Sequence, residues 1–205
     1  MPEQRVSRVG RFILRVLLWL PPCFALWYIG GALFTAPLRW LAGGLMRVGF
    51  GDLVSGTTQT QTILTFATTL RPAQATTAST ASGVVEVDVA TLTYTYGLPL
   101  LAALILAVPP GQRVRQLVIG YLALLPFHVW SIVADALKQM AIAMGPAVAS
   151  QTGFVAWQRE AIAFAYQFGT LILPAVVPVV IWVLLNRAFV EGLLEVREAV
   201  PSTSV

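Results

Sequence analysis

Charge is scarce in this chain: only 11% of its 205 residues are Asp, Glu, Lys or Arg, against the roughly 25% usual in a soluble domain. That excludes an ordinary water-soluble globule. Cysteine and histidine are scarcer still, with one of each. A single cysteine excludes an intramolecular disulfide. No His, Cys, Asp or Glu cluster stands at metal-ligand spacing, so no metal and no cofactor are expected. A glycine-rich phosphate loop and a serine-centred nucleophile turn are missing too. The net charge of +4 does not point to nucleic acid, because the basic residues sit where a membrane protein would place them.

What the chain has in quantity is apolar sequence, 57% of its residues. Four stretches carry most of it: Phe12–Phe34, Leu92–Val108, Leu117–Leu137 and Ile162–Leu185. A bilayer core of about 30 Å takes about 20 apolar helical residues, and a helix satisfies its own backbone there. Three stretches reach that length, while the second borrows Leu92, Tyr94 and Tyr96 to cross. The expected fold is an α-helical integral membrane protein with four transmembrane helices, at 12–34, 92–109, 117–138 and 161–186. A small β-rich extracytoplasmic insert is expected at 51–91, between the first and second. A basic N-terminus (1–11), an interfacial segment (35–50), a short loop (110–116), an outer joint (139–160) and a tail (187–205) complete the layout.

Arg5, Arg8, Arg11 and Arg15 crowd the start, Arg113 and Arg115 the short loop, and Arg187 the end of the last span. These fall on one side of a four-span topology, so the positive-inside bias puts both termini in the cytoplasm, where the arginines also meet anionic lipid. Arginines followed by Phe12–Leu20 imitate a signal peptide, but the apolar run continues through Ile29 with no small-residue cleavage site. An uncleaved anchor is therefore expected. Pro22, directly before Cys23, argues against lipid acylation of that cysteine. Pro21-Pro22 should kink or break the first helix, and Trp19, Trp27, Tyr28 and Trp40 read as interfacial anchors.

The polar insert changes chemistry abruptly. Thr57, Thr58, Thr60, Thr62 and Thr65 alternate with Gln59, Gln61, Leu64 and Phe66, and Val85, Val87 and Val89 alternate with Glu86 and Asp88. Alternation in β-branched residues reads as two strands, joined by an Ala-, Ser- and Thr-rich loop over 71–83. A lone hairpin is marginal in water. It is expected to lean on the membrane surface, the interfacial helix or a partner.

Several fragments occur together in order: Leu17-Leu18-Trp19-Leu20-Pro21, Tyr96-Gly97-Leu98-Pro99-Leu100, Trp157-Gln158-Arg159-Glu160-Ala161 with Tyr166-Gln167, and Leu185-Asn186-Arg187-Ala188-Phe189. In this combination the chain resembles the exosortase H-associated membrane protein family over nearly its whole length. The resemblance implies a bacterial inner-membrane protein working beside an exosortase, a membrane-embedded thiol enzyme that processes C-terminal sorting tails of exported proteins. It implies no catalytic residue. The expected partners are the lipid bilayer and an exosortase-type enzyme or its sorted substrates, with no nucleic acid.

Two constellations compete with a purely structural reading. A thiol enzyme would use Cys23 as nucleophile and His128 as its base. Both lie about mid-span, away from the outer face where tails are cut, and no arginine accompanies them to hold an oxyanion. Inert packing is the expectation for Cys23, and an imidazole bonded to a neighbouring helix is the expectation for His128. The other constellation is polar and lies outward: Asp135, Lys138, Gln139, Gln158, Arg159 and Glu160. Its structural reading is a set of ion pairs, Lys138 with Glu160 among them, that fixes the last two spans as a hairpin. Its functional reading is a docking surface made by Asp135, Lys138, Gln158, Arg159 and Glu160. A small transporter subunit is a further alternative, because proline-broken helices can line a path, although no inverted repeat is visible.

Overall fold

In the computed structural model the described residues are 3–72, 83–109 and 111–198, with side chains described from residue 9 to residue 193. The middle of the expected 71–83 loop, Pro110, the end of the tail and the side chains of Arg5 and Arg8 lie outside them. The first apolar run folds as α1 (Glu3–Ile29), which stays helical through Pro21 and Pro22 rather than breaking there. It ends at Gly30, where an added Cβ would stand 2.9 Å from the Leu26 carbonyl oxygen. A second helix, α2 (Gly31–Phe50), leaves at once.

The polar insert is a sheet of three antiparallel strands, β1 (Val54–Thr60), β2 (Ile63–Thr68) and β3 (Glu86–Ala90), in the order β1-β2-β3. The run expected to form one strand is divided by a tight turn at Gln61-Thr62, where Gln61 takes a φ of 54° and Thr60 pairs with Ile63. No Gly or Asn marks this turn, so the alternation of the sequence runs straight through it. Leu64 and Phe66 point to the same face as Val87 and Val89, and all four are fully buried. They pack on Leu38, Ala42 and Met46 of α2 and, across the same core, on residues Val129 to Met140 of the third long helix. The insert is therefore no free-standing hairpin. Its apolar face is the lid of a core built with α2.

The remaining chain is helical: α3 (Leu92–Thr95), α4 (Gly97–Ala107), α5 (Arg113–Lys138), α6 (Pro146–Ala149), α7 (Ala156–Gln167), α8 (Leu173–Leu185) and α9 (Arg187–Glu198). π-helical turns at Gln139–Ala143 and Phe168–Ile172 extend α5 and join α7 to α8. Among the described residues, three stretches are long and apolar enough to cross a bilayer: Val9–Ile29, Arg113–Ala143 and Ala156–Leu185. The expected count was four. Leu92–Ala107 is apolar but shorter, reaching about 24 Å at 1.5 Å per residue. It stops because Val108, extended at ψ 148°, precedes a proline.

The bundle has two distinct ends. At one, Phe12 stacks on Trp182 at 5.3 Å and meets Phe189 at 5.4 Å. There the Gln116 amide also donates to Asn186 Oδ1 at 3.0 Å, and Arg113 donates to the Val108 carbonyl at 2.8 Å. The sheet, α2 and α6 occupy the other end. Between them α4 crosses α8 very closely. Pro178 has no N–H to give the Pro174 carbonyl, and a Cβ on Gly97 would stand 2.6 Å from that oxygen.

Candidate functional site

The C-terminal half of α5 carries three of the buried polar side chains among the described residues, His128, Ser131 and Asp135. Asp135 is only 8% exposed, yet its carboxylate is well served. The Tyr94 hydroxyl of α3 donates to it, and the Gln139 amide donates to its Oδ2 at 3.2 Å. The same amide nitrogen reaches the Asp88 carbonyl of β3 at 2.9 Å. With two of its roughly four acceptor positions filled by these donors, the buried carboxylate acts as a strut between elements. This strut ties the sheet, α3 and α5 together. Thr170, whose hydroxyl donates to the Tyr166 carbonyl at 2.8 Å, closes the cluster from the α7–α8 side.

The cation beside it behaves differently from the expectation. Lys138 Nζ sits 4.4 Å above the ring of Tyr166, a cation–π contact that suits an ammonium leaving water. Among the described residues no ion pair joins Lys138 to Glu160. Beside that cation–π contact, two neutral hydrogen bonds hold α5 to α7 and to the turn that follows it: Trp130 donates to the Ala165 carbonyl at 3.3 Å and Ser131 to the Gly169 carbonyl at 2.8 Å. The π-helical turn after Lys138 and the non-helical joint over 153–155, with Gly153 at a φ of 69°, carry the start of α7 to its own place.

There the other three expected site residues divide. Gln158 Oε1 accepts the Val155 N–H at 3.0 Å, a helix-start cap. The Arg159 guanidinium donates to the Phe154 carbonyl at 3.1 Å. Arg159 and Glu160 are both exposed and rim a cleft of about 390 Å³ with Ile142, Gly145, Pro146 and Ala163. The expected surface thus consists of an inner strut, Asp135 with Lys138, and an accessible pair, Arg159 with Glu160.

Cys23 and His128 are not brought together. Cys23 lines an apolar groove of about 480 Å³ between α1, α2, α4 and α5, whose α5 wall is Leu117, Val118 and Tyr121. His128 lies two turns beyond Tyr121, about 10 Å along the helix, and it does not line the groove. Its Nε2 is buried with no hydrogen-bond partner, unlike the bonded imidazole expected there. Among the described residues no group of three or more His, Cys, Asp and Glu is placed to hold a metal ion.

From the sequence Tyr94 counts only toward the length of a span and Tyr166 only as part of a family fragment; neither they nor Ser131 and Thr170 are assigned to a polar cluster. The available signal was Asp135 itself, since a carboxylate inside a span needs donors from facing helices.

Among known families, the family model described as exosortase H-associated membrane protein matches residues 6–189. No curated protein and no solved structure matches the chain.

Proposed function

The chain belongs to the exosortase H-associated membrane proteins, and from that premise we propose a non-catalytic accessory of the bacterial inner membrane. It binds an exosortase-type enzyme or the exported substrates whose tails that enzyme processes. The observation that carries this reading is the extent of the match, which takes in all three long apolar helices and the sheet. Association is then a property of the whole body rather than of one appended segment.

The proposed topology has four spans, with Leu92–Ala107 as the second and both termini cytoplasmic. It is supported by the path of the chain, since α4 returns from the sheet end to the Phe12–Trp182 end before α5 sets out again. Local thinning of the bilayer accommodates a short span at modest cost. The proposed contact surface is the sheet end. Arg159 and Glu160 meet the partner, while Asp135, Lys138 and Gln158 hold that surface in position.

A photo-crosslinking amino acid at Glu160 tests the surface, with one at Val114, 77% exposed at the opposite end, as control. Ultraviolet light should join the Glu160 variant to an exosortase or a tailed substrate and leave the Val114 variant unjoined. Crosslinks from Val114 alone would move the contact to the other end and refute this surface.

A further inference from the structure

Arg11 and Arg15 stand one turn apart on α1, so they share a face. Both line a cavity of about 420 Å³ together with Phe12, Pro109, Phe189 and Gly192. Its position matters as much as its charge. It opens beside the third and fourth turns of α1, just past the end of α4 and along the first turns of α9. Arg11 and Arg15 both fall within the first two turns of the apolar stretch Val9–Ile29, so in a span that starts there the two guanidinium groups stand near the level of the lipid headgroups. Beside them the wall is aromatic: Phe12, between the two arginines along α1, stacks on Trp182 and is tilted against Phe189.

The two parts ask for one kind of ligand. A guanidinium offers planar pairs of N–H donors that match phosphate oxygens, and basic pockets among transmembrane helices at this level take phospholipid headgroups. An aromatic wall beside the charges adds nothing for a soluble anion, but it packs against the first methylenes of an acyl chain. We propose that this cavity binds one anionic phospholipid, its phosphate on Arg11 and Arg15 and the start of an acyl chain on Phe12 and Phe189. The site is separate from the sheet end and does not depend on the partner proposed there.

Native mass spectrometry of the purified full chain tests it, with equal amounts of phosphatidylglycerol and phosphatidylcholine of the same acyl chains. The wild-type protein should retain phosphatidylglycerol in preference. Arg11→Gln and Arg15→Gln should each lower that preference about fivefold. Gly192→Trp provides a variant that leaves the charge alone: Gly192 lines the cavity and nothing lies within 4 Å of an added Cβ there, so a large side chain at 192 takes up cavity space. It should abolish the preference. Equal retention of the two lipids by the wild type would overturn the proposal, as would an undiminished preference in Gly192→Trp. Displacement of the lipid by inorganic phosphate would give the arginines to a free anion and overturn it as well.

Discussion

The Ser131 hydroxyl stands 2.8 Å from the Gly169 carbonyl oxygen on the facing helix, and a proline explains why that oxygen is available. Across Phe168–Ile172 the backbone bonding is shifted by one residue, so the Leu173 N–H goes to the Phe168 carbonyl. The Gly169 carbonyl would next take the N–H of residue 174, and Pro174 has none. Ser131 supplies the missing donor. It comes near enough because Gly169 has no side chain; a Cβ there would lie 3.1 Å from the Ser131 Cα.

Ser131→Ala should therefore destabilise the protein by about 1 kcal/mol, the range for a hydrogen bond between membrane helices. Gly169→Ala should cost more, because α5 must retreat as well. Reversible unfolding in detergent measures both, and a Ser131→Ala protein as stable as the wild type would contradict the account.

The Tyr94–Asp135 contact should appear as a coupling. In a double-mutant cycle with Tyr94→Phe and Asp135→Asn, the interaction should be about 1 kcal/mol. Additive losses would mean that the carboxylate does not depend on that hydroxyl. Asp135→Ala alone should cost about 1–3 kcal/mol, since it leaves donors of Tyr94 and Gln139 unpaired.

The four-span topology predicts a labelling pattern. In a Cys23→Ala background, Thr58→Cys should react with a membrane-impermeant maleimide from the periplasmic side. Gln112→Cys should react only in inverted vesicles. Both cysteines reacting from one side would show that Leu92–Ala107 does not cross.

Cys23 should be dispensable. It sits in an apolar groove with no base beside it, so Cys23→Ala should leave processing of tailed substrates in the host unchanged. Loss of processing, with protein levels maintained, would reinstate thiol chemistry.

The long spans were legible in the sequence because hydrophobic length can be read without knowing any neighbour. The sheet was only partly legible. Its inward residues alternate as expected, but the turn at Gln61-Thr62 is made by a glutamine at positive φ inside an unbroken Thr/Gln pattern, and the covering role of α2 needs the third dimension. Counting residues from the arginines gave Cys23 and His128 equal depths. In the structure Cys23 lines the groove whose α5 wall is Leu117, Val118 and Tyr121, and His128 does not line it. Asp135 and Lys138 were visible as charges within a span. Their partners were not, because Tyr94 and Tyr166 become neighbours only once α3 and α7 pack on α5.

The most direct test of the central claim is a mild-detergent pull-down of the tagged protein from its native membranes, with the bound proteins identified by mass spectrometry. An exosortase or its tailed substrates should be recovered with the wild type, and in smaller amount with an Arg159→Ala/Glu160→Ala variant. Recovery of the protein alone, from membranes that contain the enzyme, would contradict the accessory role.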